Sequence, residues 1–417
     1  MRAKSFVISK REVWEAFKEV KKNQGAAGVD GQTIDDFEKD VGNSLYKVWN
    51  RMSSGSYMPS PVRRVSIPKQ GGGTRPLGIP TVTDRVAQTV VKRYLESRLD
   101  PLFHPNSYGY RPGKSALDAV AMARKRCWRY NWVLDLDIKG FFDSIDHQLL
   151  MKAIRHHVDC QWVLLYIERW LVAPVQMEDG AIEERRQGSP QGAVISPILA
   201  NLFLHYVFDV WMRRHHASVP FERYADDVVC HCCTLQQAQA LKKALEIRFS
   251  DCRLMLHPEK TKIVYCKDAK RGGNYPIISF DFLGYTFRPR MVRGPYQYFC
   301  GFTPAISNKA AKAIRTEMLS WRLHRRTDKT MKDLANMFNP ILQGWVNYYG
   351  RFNKSWLTRA MWTLDHYLVR WFLAKYKSLR GHKKRAWNVL QQTAERHTAL
   401  FAHWKLSKRG TWTTRAV

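Results

Sequence analysis

The stretch Phe221-Glu222-Arg223-Tyr224-Ala225-Asp226-Asp227-Val228-Val229-Cys230 is the most informative part of this chain. Its two adjacent carboxylates stand between strand-forming residues, a pattern that favours the tip of a β-hairpin. Adjacent acids repel each other and lose hydration on burial, so a pair within apolar sequence is typical of a divalent-cation site. Aspartate is also common in ordinary turns. Taken alone, the tetrapeptide Tyr224–Asp227 therefore leaves a metal site and a plain turn equally open.

The charge balance of the whole chain is strongly basic. The 417 residues include 68 Lys and Arg against 36 Asp and Glu, a formal net charge of +32. Hydrophobic residues make up 45% and charged residues 25%, which is typical of a globular protein with two or three domains. The positive excess predicts a polyanionic partner and salt-sensitive binding.

The last quarter of the chain concentrates both charge and tryptophan. Residues 301–417 hold 23 Lys and Arg against 5 Asp and Glu, and 8 of the 15 Trp. Basic residues interleaved with aromatics suit phosphate contacts and base stacking, as in RNA and single-strand binding. The alternative is that Trp fills a helical core which Lys and Arg coat. We expect most of these Trp to lie in the core and most of the charge to be functional.

The eight cysteines do not form a zinc-binding pattern. Cys230, Cys232 and Cys233 lie close to His231, but no second Cys-x-x-Cys pair is present to complete a site. Buried free thiols in a reducing compartment are the favoured interpretation. No apolar run approaches the length of a membrane span, and the first residues have no apolar core like that of a signal peptide.

Helical and strand patterns alternate through the first 300 residues. The residues Val13, Trp14, Phe17 and Val20 share one side of a helix predicted over 9–22. Further helices are predicted over 84–99, 114–129, 147–172, 193–210 and 236–249, and strands over 62–67, 132–138, 261–266 and 278–288. From residue 303 onward the pattern is one of helices with basic faces, interrupted at Asn339-Pro340.

A third acid is placed where it can join the pair. Asp135 and Asp137 lie on one face of the strand predicted over 132–138, and Asp137 precedes Asp226 by 89 residues. This separation suits neighbouring strands of one sheet. Carboxylates converging in that way are what a two-Mg²⁺ site for nucleotidyl transfer requires. The hairpin predicted around 62–80 would supply Lys69 and Arg75 as cations for a triphosphate.

Seven segments, in the order of the family, resemble a reverse transcriptase of the group II intron type. Each is short, but together they are specific. They are Asn23–Gly31, Lys69–Pro80, Asp137–Asp143, Gln187–Gly192, Tyr224–Asp227, Glu259–Lys262 and Phe282–Tyr285.

The resemblance implies roles for individual residues. Asp137 is the first palm acid, which makes Asp135 structural, and Asp226 and Asp227 complete the catalytic set. The implied metal ligands are Asp137, Ile138, Asp226 and Asp227, holding two Mg²⁺ ions for which Mn²⁺ can substitute. Phe142 takes the position of the aromatic gate that rejects a ribose 2′-hydroxyl, with a core phenylalanine as the alternative. The implied deoxynucleotide-binding residues are Lys69, Arg75, Phe142, Gln191 and Lys260, although Lys262 competes with Lys260 and either could be a solvated helix-end charge.

The tract from Asn336 to Gly350 resembles the maturase motif, which replaces the usual thumb and binds intron RNA. The RNA-binding residues that it implies are Trp345, Tyr348, Tyr349, Arg351 and Lys354. Many relatives add a Cys/His nuclease domain, which we do not expect here because cysteine is absent after residue 355. Such an enzyme would take its primer from elsewhere.

The expected fold is therefore α+β, a right-hand polymerase fold followed by an all-α domain. We expect an N-terminal extension and fingers over 1–130. A palm with a small antiparallel sheet and a fingers insertion follows over 131–302, and a helical maturase/thumb domain over 303–417.

The expected function is RNA-directed DNA polymerisation together with binding of a group II intron RNA to promote splicing and mobility. The expected partners are the intron RNA, an RNA template–DNA primer duplex and target DNA, with no membrane, in a cytoplasmic, nucleoid-associated ribonucleoprotein. Two alternatives stay open. One is a domesticated enzyme of the same chemistry without an intron, and the other is a non-catalytic splicing cofactor.

Overall fold

The computed structural model describes residues 5–68, 73–294 and 296–406, which form two compact units. The first unit is Met1–Ala119 with Tyr130–Ile263, and the second is Val120–Arg129 with Val264–Val417. Both units mix helices with small sheets. The α+β fold class predicted from the sequence is confirmed, whereas the functional division at residues 131 and 303 stays a prediction.

Eleven helices and eight strands carry the described chain as far as residue 265. The helices are α1 Lys10–Asn23, α2 Ile34–Lys39, α3 Val41–Ser54, α4 Val82–Leu99, α5 Ala116–Cys127, α6 Phe141–Ser144, α7 His147–Arg155, α8 Gln161–Leu171, α9 Ser196–Leu204, α10 Val210–His215 and α11 Leu235–Asp251. The strands are β1 Val62–Pro68, β2 Thr74–Ile79, β3 Trp132–Leu136, β4 Val175–Gln176, β5 Ile182–Glu183, β6 Phe221–Tyr224, β7 Asp227–Cys232 and β8 Lys262–Tyr265.

Two sheets shape the first unit. One has the order β2-β1-β4-β5, in which β1 and β2 form the predicted antiparallel hairpin. The other has the order β6-β7-β3-β8. Its central strands β3 and β7 run antiparallel with Leu136 opposite Val228, so the end of β3 lies beside the turn between β6 and β7. This pairing brings together the segments that carry the three predicted catalytic acids.

Several predicted helices differ in detail from the observed ones. In α1 the buried residues are Val13, Ala16, Phe17 and Val20, whereas Trp14 is 44% exposed, so its placement on the buried side was wrong. The helix predicted over 147–172 is interrupted between α7 and α8. The helix predicted from residue 193 begins at Ser196 and contains a π-helical segment, His205–Asp209, between α9 and α10.

Beyond β8, the described part of the second unit contains one antiparallel sheet and the α-helices α12 to α15. The sheet has the order β11-β10-β9, and the elements are β9 Phe280–Phe282, β10 Tyr285–Arg293, β11 Tyr298–Ile306, α12 Asn308–Ser320, α13 Met331–Tyr349, α14 Lys354–Lys375 and α15 Lys383–Arg396. The strand predicted over 278–288 is thus two strands around a turn. The predicted break at Pro340 was wrong because α13 continues through it. The neighbouring Asn339 bonds the backbone of Leu400 and Ala402, which holds the helix in place there.

Most described tryptophans of this unit belong to its core, as the sequence predicted. Trp321, Trp371 and Trp404 are buried, and Trp345, Trp356 and Trp387 pack against the same core. Trp362 is 44% exposed. Within the ranges given above, no helix combines the length and apolarity that crossing a membrane requires.

Candidate active site

The acid pair lies on a tight turn between two strands, as predicted. β6 and β7 pair antiparallel with Tyr224 opposite Asp227, which leaves Ala225 and Asp226 at the tip. Ala225 has a φ of 55°, in the left-handed region that a side chain makes unfavourable. The surroundings must therefore hold this turn in place.

The buried Arg223 of β6 holds the turn in place from the protein core. The Arg223 guanidinium donates to both carboxylate oxygens of Asp209, at 2.7 and 2.6 Å, and both side chains are almost fully buried. The same guanidinium donates to Asn201 Oδ1 at 3.0 Å and to the carbonyl of Ala225 at 3.2 Å. Burial alone would raise the pKa of Asp209, but Arg223 holds that pKa below its usual value. The acid-bearing turn is thus bonded to an ion pair in the core.

The backbone around Gly109 presses against the same turn. A Cβ at Gly109 would lie 2.5 Å from the Ala225 nitrogen and 3.0 Å from the Tyr224 carbonyl carbon, so only glycine fits without a shift. Asn201 donates to the carbonyl of Gly109 at 2.7 Å, which ties this contact to the Arg223 network. These residues were not predicted from the sequence, and the signal that pointed to them was the charged pair Glu222-Arg223 within the short strand β6.

The third acid stands at the end of β3. The carbonyl of Asp137 accepts from the amide of His257 at 2.7 Å, and the bridge between Ile138 and Leu256 continues this pairing. The side chain of Asp137 forms an ion pair with Lys260, with Nζ 3.2 Å from Oδ2. Lys260, predicted to approach a triphosphate, is therefore at the acid cluster, whereas Lys262 begins β8.

The three acids repel one another electrostatically. Burial raises the pKa of Asp227 to about 7, with further raising contributions from Asp226 and Asp137 and a lowering one from Lys260. The Asp227 side chain is exposed to solvent on one side, and the raising effect comes from the protein atoms that crowd its other side. Burial and Asp137 also raise the pKa of Asp226, whereas Arg75 and Arg223 oppose that change. Acids in such an environment favour a cation.

The predicted cation Arg75 reaches this cluster from the β1–β2 hairpin. Its Nε donates to Gln191 Oε1 at 2.6 Å, and the amide of Gly78 donates to the carbonyl of Gln191 at 2.7 Å. A Cβ at Gly192 would lie 2.7 Å from the carbonyl oxygen of Gly78, so the loop and the hairpin are in close backbone contact. Arg75 and Gln191, predicted separately, are thus bonded to each other. The other predicted cation, Lys69, lies outside the described residues.

The predicted gate residue is mostly buried. Phe142 is 7% exposed and packs edge-on against Phe141 with ring centroids 5.3 Å apart. Its carbonyl accepts from the amide of Ser189 at 2.7 Å, which joins α6 to the loop that carries Gln191. These contacts fit either a gate or a core phenylalanine, and the gate stays a prediction.

The donor set at this site fits Mg²⁺ chemically because Asp137, Asp226 and Asp227 all present hard carboxylate oxygens. Among the described residues, however, no three His, Cys, Asp or Glu side chains are gathered closely enough to form a metal cluster. The ion pair of Lys260 with Asp137 compensates part of the charge instead. Cys230 and Cys232 are buried free thiols and Cys233 is an exposed one, so they add no metal-binding group.

The residues predicted to bind RNA in the second unit have structural contacts of their own. Tyr348 donates to the carbonyl of Leu283 at 2.8 Å, and Tyr285 donates to the carbonyl of Tyr348. The Tyr349 hydroxyl lies 3.0 Å from the Cβ position of Gly284. The Trp345 ring stacks at 5.8 Å on that of Trp321. Of the predicted set, Arg351 and Lys354 are exposed and the three aromatics are partly buried. None of these contacts tests RNA binding.

Comparison with known families gives two matches along the chain. Residues 67–287 match the model described as reverse transcriptase (RNA-dependent DNA polymerase). Residues 311–387 match the model described as the maturase-specific domain of group II introns. The first match contains the three acids and β2 with Arg75, and the second contains α13 and α14.

Individual proteins resemble the chain over parts of their length. Protein YkfC of Escherichia coli is 30% identical over 58% of this chain and 73% of its own length. The group II intron-encoded protein LtrA of Lactococcus lactis is 35% identical over 46% of this chain, but the match spans 32% of LtrA. A solved telomerase from Candida albicans, in complex with a fragment of telomeric RNA, covers 89% of this chain and 67% of its own at 11% identity. Its TM-score of 0.47 is too low to bear on fold or function.

Proposed function

This chain belongs to the reverse transcriptase family of the group II intron type, and we propose that its acid cluster extends a DNA primer along an RNA template. The observation that carries this proposal is the pairing of β3 with β7, which sets the end of β3, next to Asp137, beside the turn that carries Asp226 and Asp227. Partly buried carboxylates whose charges repel one another are unfavourable unless a cation joins them. A structural turn has no need for such an arrangement.

In the proposed reaction, the primer 3′-hydroxyl loses its proton to solvent and its oxygen forms a bond to the α-phosphorus of a deoxynucleoside triphosphate. The bond from that phosphorus to the bridging oxygen breaks, and pyrophosphate leaves. Asp137, Asp226 and Asp227 would hold two Mg²⁺ ions, with the backbone of Ile138 alongside. When bound, such ions lower the pKa of the 3′-hydroxyl and neutralise the leaving phosphates.

The other side chains would bind and orient the nucleotide. Arg75 offers a planar donor set that matches phosphate oxygens, and Gln191, bonded to Arg75, would lie under the nascent base pair. The Phe142 ring would exclude a 2′-hydroxyl. Lys260 would release Asp137 when metal binds and turn its ammonium towards the departing phosphates.

Primer extension on an RNA template with Mg²⁺ tests the assignment. Asp226→Asn should lower the rate by about a thousandfold or more, because an ion stabilises charge in the transition state by several kcal/mol and each 1.36 kcal/mol is tenfold. Asp251→Asn, an exposed acid at the end of α11, is the matched control. Equal rates for the two variants would refute the site assignment.

We also propose that the second unit binds a group II intron RNA and promotes its splicing. The basic composition of this region and its maturase-domain match support the proposal. A splicing assay with the RNA that flanks the coding sequence separates the two roles. Asp226→Asn should splice normally while failing to extend primers. Splicing that requires Asp226 would refute that separation, and a wild-type chain that splices without extending primers would favour a non-catalytic cofactor.

A further inference from the structure

Three arginines surround one tryptophan in the second unit. The guanidinium carbons of Arg288, Arg290 and Arg359 lie 4.9, 5.3 and 5.2 Å from the ring centroid of Trp356. Arg288 and Arg290 are two positions apart on β10 and so lie on the same face of the strand, whereas Trp356 and Arg359 lie about one turn apart on α14. We call these four residues the arginine cluster.

The charges of the arginine cluster have no ion-pair partner among the described residues. Asp281 attracts Arg290 electrostatically, but its carboxylate accepts a hydrogen bond from Thr286. All three guanidinium carbons lie within 5.3 Å of one ring centroid. Any two of them are therefore at most ~10.5 Å apart, and at low salt their charges repel each other. The face of an indole attracts cations, but it carries no net charge to balance three of them.

Burial makes this arrangement more unfavourable in the absence of a ligand. Arg290 is only 7% exposed, and its Nη1 donates to the carbonyls of Thr286 and Thr303. The buried Nε atoms of Arg288 and Arg290 have no hydrogen-bond partner. Burial, together with the charge of Arg288, lowers the pKa of Arg290 to about 10, although Asp281 opposes this change. Uncompensated buried donors of this kind are typical of a site that an anion completes.

The start of α14 adds to the same positive potential. Trp356 lies in the first turn of this helix, which contains Lys354 and no acidic residue. The N-cap Asn353 makes no side-chain capping bond. A helix N-terminus carries a partial positive charge and free amide donors, and both favour a phosphate.

We propose that the arginine cluster binds the phosphodiester backbone of an RNA strand, with Arg359 and Arg288 as the donors to phosphate. Planar guanidinium groups held close to an indole ring can make bidentate contacts with phosphate oxygens. Contacts of this kind position the strand without reading its sequence. The proposal deepens the RNA-binding role proposed above, on which its choice of ligand rests.

The test is the salt dependence of RNA binding, measured with the full chain and labelled single-stranded RNAs of two unrelated sequences. Each phosphate contact contributes about 0.7 to the slope of log K against log salt. Arg359→Gln and Arg288→Gln should each lower that slope by about 0.7 for both sequences. Arg315→Gln removes the same charge from an exposed position on α12 and should change the slope less.

Two further measurements fix what the cluster recognises. Arg359→Lys keeps the charge but not the planar donor set, so its RNA affinity should lie between those of wild type and Arg359→Gln. If Arg359→Gln and Arg315→Gln have the same slope of log K against log salt, the proposal is overturned. If Arg359→Gln loses affinity for inorganic pyrophosphate but keeps its affinity for RNA, the site binds a small anion, and the choice of RNA as its ligand is overturned.

Binding without nucleotides also separates this proposal from the polymerase. A chain that fails to extend primers, yet loses slope on Arg359→Gln, would refute the active site and keep the cluster. A chain that extends primers, but whose salt slope is unchanged by Arg359→Gln and by Arg288→Gln, would refute the cluster and keep the active site.

Discussion

The buried ion pair beneath the acid-bearing turn gives the sharpest prediction. Asp209→Asn preserves the shape of the side chain but leaves the Arg223 guanidinium buried without a counter-charge. Removal of one partner from such a pair costs about 3–5 kcal/mol, which agrees with two charge-assisted bonds of about 1.5–3 kcal/mol each. For a unit of this size each kcal/mol shifts the melting temperature by about 2–4 °C. We therefore expect the melting temperature of the first unit to fall by roughly 6–20 °C.

A double variant separates stability from positioning. Asp209→Leu with Arg223→Met replaces the pair by apolar side chains and should recover most of the lost free energy of unfolding. It leaves the carbonyl of Ala225 without its donor, so primer extension should stay well below wild type. Urea unfolding and primer extension, measured on the same preparations, give both quantities. A cost below about 1 kcal/mol for Asp209→Asn, or full activity of the double variant, would refute this reasoning.

Two more predictions concern the same turn. Gly109→Ala should lower the rate of primer extension at least about tenfold, since the new Cβ would meet backbone atoms of the turn at 2.5 and 3.0 Å. The control is Gly42→Ala on α3, where a Cβ meets no atom within 4 Å, and it should leave the rate unchanged. Asp227 has a pKa raised to about 7 in the folded chain, against about 3.9 when unfolded, so the folded state holds an extra proton between these values. In the metal-free wild type, Asp227 should therefore contribute stability that is lost as pH rises from about 4 to about 7. The melting temperature of Asp227→Asn should fall less, or rise more, than that of the wild type over this range, and parallel profiles would contradict the assigned environment.

The placement of Asp137 beside the turn with Asp226 and Asp227 was predictable because these acids lie within or next to strand-forming residues. A run such as Val133–Ile138 is buried by its composition, so an acid within it requires a special environment. The order of the seven motifs then identified the family. Arg75 and Gln191 were predicted as separate nucleotide contacts, but their hydrogen bond depends on tertiary packing that periodicity does not describe.

The residues that hold the site were not predictable. Asp209 and Asn201 lie on an apolar helix, and nothing in the local pattern shows that they point at Arg223. Gly109 follows Tyr108 in a loop with no regular period. The continuation of α13 through Pro340 was missed for a similar reason, because long-range bonds of Asn339 offset a local helix-breaking preference.

The π-helical segment His205–Asp209 affects which side chains of its helix can contact the guanidinium of Arg223. Asn201 and Asp209 are eight positions apart, which in a regular α-helix would separate their directions by about 80°. A π-segment acts as one inserted residue, so the effective spacing becomes seven positions and the two side chains point within about 20° of each other. The extra residue thus acts as an angular spacer that lets one helix supply both an amide and a carboxylate to the same cation.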